Sequence, residues 1–147
     1  MDKTCSMEEA VTWLVVACLN QLIKLGEVKP GQINNSGWHI AFRQKTLSDK
    51  GFAGAATLDT NNRPVIYLSS NLTEKGLLYV IAHETFHLMQ ICKGDLIPGY
   101  GSQIWKGKSY KTLPANHPDY FEHQPWEKDA ERLQPVLLNY LESIQKS

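Results

Sequence analysis

The hydrophobic period of this chain changes along its length, and each change marks an element. From Met7 to Leu25 the apolar positions Met7, Ala10, Val11, Leu14, Cys18, Leu22 and Leu25 recur at helical spacing, giving one broad buried face. Ser6 with Glu9 three residues later forms a capping box, and Gly26 followed by Pro30 supplies the stop. We read this segment as a backing helix. Between Asn34 and Leu72 the helical repeat gives way to short runs bounded by turn residues. Asn34-Asn35-Ser36-Gly37 is a turn cluster, and a candidate strand follows over Trp38 to Gln44. Gly51 to Thr57 is a second, weak by propensity, and Val65 to Leu68 is a third, of β-branched and aromatic residues. The polar run from Asp59 to Pro64 between the last two is a turn by composition. Short strands with tight connections predict a small, mostly antiparallel three-stranded sheet packed on one face by helices.

A different pattern starts at Leu77. Leu77, Leu78, Val80, Ile81 and Ala82 are apolar on nearly every face, as in a helix that runs through the middle of a domain. This helix is expected over 77–93, capped by Asn71 or Thr73 and ended by Gly94. Into it the chain places His83, Glu84 and His87. Residues four apart share a helix face, so the two imidazoles point the same way, one turn apart. Burying such groups is costly unless each is partnered. Two neutral imidazoles on one face suit a tetrahedral zinc ion, with Glu84 standing beside it.

From Asp95 to Gln124 the chain reads as irregular, with Pro98, Pro114, Pro118 and five aromatics. A connection of that length in a compact domain tends to be functional, so a substrate-facing wall is expected there. Ile104 to Tyr110 has the makings of a short hairpin. Pro125 then opens a last helix at its favoured first position. Trp126, Ala130, Leu133, Leu137, Tyr140 and Ile144 form its core stripe, and Pro135 is expected to kink it. On the flank of that stripe stand Glu127 and Glu131, one turn apart. Zinc held by two histidines needs a third protein ligand to form a catalytic site, and Glu127 supplies it if this helix crosses the central one. Asp95, Asp119 and Asp129 are less well placed, and His117 or His123 would make a three-histidine site.

Composition narrows the picture. A chain of 147 residues is read as one domain, spanning 1–147. Its 15 basic and 15 acidic residues cancel, so no long-range field argues for nucleic acid or an anionic membrane as partner. Cys5, Cys18 and Cys92 are too few and too scattered for a disulfide framework and read as free thiols in a reducing compartment. Val11 to Leu19 is apolar but follows Asp2, Glu8 and Glu9 where a signal peptide would be basic. It also falls short of the ~20 residues that span a bilayer. The expected location is cytoplasmic.

His83-Glu84-Thr85-Phe86-His87, followed about forty residues later by Glu127-Lys128-Asp129-Ala130-Glu131, resembles the gluzincin group of zinc metallopeptidases. The order of elements is similar to the single-domain minigluzincins. Trp105-Lys106-Gly107-Lys108, then Tyr120, then Gln124-Pro125-Trp126-Glu127 resembles small metallopeptidase-like proteins of bacteria and their phages. The longer metzincin motif fails, because Gln90 and Lys93 stand where it needs Gly and His. The resemblance implies an α+β, zincin-like domain with Zn2+ held by His83, His87 and Glu127. It places Glu131 where some members orient the first histidine. Glu84 is then the general base that takes a proton from water and passes it to the leaving amine. Tyr120 or His123 is the favoured donor to the oxyanion, ahead of Tyr110 and His117. The expected activity is hydrolysis of a peptide or protein substrate. The contrasting expectation is a non-catalytic, zinc-stabilised domain that binds a partner in a larger assembly or virion. Glu84 separates the two, because a purely structural site has no use for an acid there.

Overall fold

The computed structural model describes residues 7–43, 54–69, 74–99, 101–113, 116–119 and 124–145. In chain order the elements are α1 (Met7–Lys24), α2 (Pro30–Asn34), β1 (His39–Arg43), β2 (Gly54–Leu58), β3 (Pro64–Ser69), α3 (Glu74–Lys93), β4 (Leu96–Pro98), β5 (Ser102–Trp105), β6 (Lys108–Lys111) and α4 (Pro125–Gln145). The fold is α+β. Its central member is α3, which packs against α1, α2, α4 and strands of both sheets.

Helix α1 buries Val11, Leu14, Val15, Cys18, Leu19 and Leu22 and ends at Gly26, whose φ of +79° suits glycine. Pro30 is not merely a stop. It is the first residue of the short α2, where its missing N–H is no loss, and Gln32 Oε1 accepts from the Lys29 N–H at 3.0 Å. The three expected strands form one sheet in the order β1-β3-β2, with β1 parallel and β2 antiparallel to β3. That sheet is mixed, where the sequence predicts a mostly antiparallel one. Local pattern specifies a strand's faces but not its neighbour, and β3 inserts between the two strands that precede it.

The weak propensity of β2 has a packing reason. A Cβ added at Gly54 would stand 2.7 Å from Val80 Cγ1 and 3.1 Å from the Tyr67 carbonyl oxygen. Only glycine allows α3 to approach this strand so closely.

The segment read as irregular contains a second antiparallel sheet, in the order β4-β5-β6. Strands of three and four residues are too short to show a period. The expected hairpin is β5–β6, and its turn residues Lys106 and Gly107 both have positive φ, 49° and 86°. Leu96, Trp105, Ile91 and Trp126 form a small apolar cluster of their own.

Helix α4 buries Trp126, Ala130, Gln134, Leu137 and Leu141. Leu133, Tyr140 and Ile144 are only half-buried, so the helix is rotated slightly from the predicted stripe. It continues past the exposed Pro135 to Gln145. The predicted caps Ser6, Asn71 and Thr73 lie outside the described residues. No helix among the described residues is long and apolar enough to cross a membrane.

Candidate metal centre

Helix α3 presents His83, Glu84 and His87 beneath β2, while Thr85, Phe86, Leu88 and Met89 anchor it in the core. The first turn of α4 crosses above the histidines and delivers Glu127. Its Oε1 lies 3.2 Å from His87 Nε2 and 3.6 Å from His83 Nε2. The three ligand atoms all fall within 4.8 Å of one another, the group among the described residues with that geometry. Ligands ~2.0–2.1 Å from a tetrahedral zinc are separated by ~3.3 Å, so the two contacts of Glu127 already have about the required length.

The outer ring nitrogens decide what the inner ones do. Gln90 Nε2 donates to the Trp126 carbonyl and to Asp129 Oδ2, both at 3.0 Å. Both amide donors are spent, so Gln90 Oε1 faces His87 Nδ1, at 2.7 Å, and accepts its proton. Neutral His87 therefore turns a bare Nε2 lone pair toward the Glu127 carboxylate. His83 is arranged likewise, with Nδ1 donating to Gln134 Oε1 at 2.9 Å. The rings meet edge-on, with centroids 4.6 Å apart and an angle of 84°. Two lone pairs and a carboxylate oxygen converge, and acceptors facing one another need a cation between them. The residues fit a divalent metal.

Electrostatics states the same demand. Burial opposes charge on His87, but the hydrogen bond and charge of Glu127, helped by Glu84 and Gln90, outweigh it and raise the imidazole above its ordinary value. A proton there supplies the positive charge that the converging acceptors call for. The Glu84 carboxyl is also raised, chiefly by burial and further by Glu127, against the opposing pull of both histidines and the Ala56 N–H.

The centre opens into a cleft of about 230 Å³. Gly54, Ala55 and Ala56 of β2 line it on one side, with Leu96 and Gln103 of the second sheet and Trp126 of α4 completing the lining. Larger hollows of about 410 to 450 Å³ lie elsewhere, but their linings do not gather these ligands. Chemistry, not size, locates the site.

The structure brings His83, Glu84, His87 and Glu127 together as the sequence predicts. It corrects Glu131. That side chain is exposed, and Gln134 holds the outer nitrogen of His83. At ~100° per residue, Glu131 is turned about 40° further from Glu127, whereas Gln134, seven residues on, returns to within about 20°. Tyr120 and His123 lie outside the described residues. Tyr110 packs edge-on against Trp126, and His117 accepts the Asp119 N–H, so neither joins the ligand group. Asp95 pairs with Lys93. Gln90 and Gln134 were not anticipated. Gln90 stands three residues after His87 on the same helix face, and that spacing is the signal that identifies it. Comparisons with family models, curated proteins and solved structures found no match for this chain.

Proposed function

We propose that this protein is a zinc-dependent metallopeptidase with a zincin-like arrangement of its catalytic helices. The observation that carries this reading is the convergence of His83 Nε2, His87 Nε2 and Glu127 Oε1 beside the partly buried carboxyl of Glu84. Two imidazoles and a carboxylate make a donor set suited to catalytic zinc. When bound, such a cation supplies Lewis acidity, lowering the pKa of water and polarising a carbonyl. Every other role belongs to the chain. Burial raises the affinity of Glu84 for a proton, which suits a base that takes one from water and returns it to a departing amine. The Ala56 N–H steadies the ionised carboxylate between those events. The cleft is also suited to an extended chain. Among the described residues strand β2 is at the edge of its sheet, and Gly54, Ala55 and Ala56 line the cleft with small side chains, an arrangement suited to pairing with a peptide backbone. Tyr120 or His123 is proposed as the oxyanion donor.

The non-catalytic reading gives the partly buried Glu84 no role. Glu84→Gln tests the choice, because glutamine keeps the shape but accepts no proton from water. Turnover of a peptide library is expected to fall by ~10²–10⁴-fold with zinc content unchanged. Metal-loaded native protein that cleaves nothing would favour the binding or assembly role instead.

A further inference from the structure

Behind His87 the hydrogen bonds do not stop at Gln90. Asp129 divides its two oxygens: Oδ2 accepts from Gln90 Nε2 at 3.0 Å, and Oδ1 accepts from Arg132 Nη2 at 3.0 Å. Arg132 also grips Glu27 with both terminal nitrogens, Nη2 to Oε1 at 2.9 Å and Nη1 to Oε2 at 3.3 Å. Glu27 belongs to the turn between α1 and α2. A continuous path of hydrogen bonds therefore joins the turn between α1 and α2 to the outer nitrogen of His87, Nδ1. It runs Glu27, Arg132, Asp129, Gln90, His87.

We propose that Asp129 is a positioning residue of the metal centre, acting through Gln90 to keep the Nε2 lone pair of His87 aimed at the cation. This rests on the metal reading given above. Gln90 is only 1% exposed, so its amide has no water to turn to and must satisfy its donors within the protein. Turned over, the amide would direct N–H groups at His87 Nδ1 and its oxygen at two acceptors, the Trp126 carbonyl and the Asp129 carboxylate. The ring would then carry its proton on Nε2, where no metal can bind. Trp126 supplies one neutral acceptor against that flip, and Asp129 supplies a charged one, which makes the stronger bond. Arg132 and Glu27 fix the carboxylate in place. The bland view treats Asp129–Arg132 as a surface pair three residues apart on a helix, and such pairs contribute little. It leaves the bond to buried Gln90 unexplained.

The experiment compares Asp129→Leu, which cannot accept, with Asp129→Asn, which keeps an oxygen acceptor without the charge, and with Arg132→Gln. Two quantities are read on the full chain: zinc affinity by chelator competition, and the His87 ring tautomer in the metal-free protein by nitrogen-15 NMR at alkaline pH, where the ring is neutral. Asp129→Leu is expected to weaken zinc binding by ~10-fold or more, as carboxylates behind a ligand do. It should also shift His87 from the Nδ1–H form toward the Nε2–H form. Asp129→Asn should recover part of both effects, and Arg132→Gln should cost a few-fold. If Asp129→Leu does not fold, the ranking of Asp129→Asn and Arg132→Gln against the native protein decides. Native affinity in the variants, or weaker affinity with an unchanged tautomer, would overturn the assignment while leaving the metal site standing. Native protein that binds no zinc would instead remove the metal reading beneath it.

Discussion

The two histidines of the centre sit one turn apart on the same helix, yet their surroundings differ. The His87 side chain is 7% exposed, and its outer nitrogen is held by Gln90, itself fixed by two acceptors on α4. The His83 side chain is 26% exposed, and its outer nitrogen meets Gln134 beside a surface hollow lined by Tyr79, Pro135 and Leu138. One half of the centre is built into the core and the other half borders solvent. A buried polar group has no substitute partner when its own is removed, while a partly exposed one has water. On the proposed metal reading, the buried half should therefore govern metal retention, and the open half should tolerate change.

The carboxylate that joins the halves is the severest test. Glu127→Ala removes the proposed shared ligand, and retention of the proposed zinc against a competing chelator should fall well beyond the ~10–100-fold typical of residues behind the ligands. A smaller loss than that would mean that the two histidines hold the metal without α4. The next comparison separates the halves directly. Gln90→Leu is expected to reach the ~10–100-fold range in zinc affinity. Gln134→Leu should stay below it, since solvent takes over the bond to His83. Equal losses would erase the distinction.

The third test uses pH on the metal-free protein. The folded-state value of His87 is raised above 6.5, so the native state holds the imidazole's proton more tightly than the unfolded chain does. That contribution to stability is full below about 6.5 and is lost as pH rises through the raised value. Glu84, also raised, acts with the same sign from its own range near 4.5 upward. The thermal midpoint in chelator should thus decline as pH increases past these values, and the decline above 6.5 should flatten in His87→Ala. Zinc affinity should move the opposite way, rising as the imidazole loses its proton. The smallest expected effect belongs to Glu131→Ala. This exposed side chain should change stability by less than ~0.5 kcal/mol and zinc affinity hardly at all. A loss as large as that of Gln134→Leu would restore it to the site.

The sequence by itself determined the α3 half of the centre. Residues four apart on a helix share a face whatever surrounds them, so His83 and His87 were bound to point together, with Glu84 beside them. The three strands of the first sheet, the Gly26 and Gly94 helix ends and the start of α4 at Pro125 were equally legible, because turn and cap chemistry is local. Tertiary structure alone decided the rest. It set β1 parallel to β3, it raised a second sheet from strands too short to show a period, and it rotated α4 so that Gln134, not Glu131, reached His83. It also fixed the Gln90 amide, and with it the tautomer of His87, through acceptors that lie 36 and 39 residues further along the chain. Hydrophobic periodicity records which face of an element is buried, whereas the partner across that face, and a rotation of some tens of degrees, depend on packing between segments far apart in sequence.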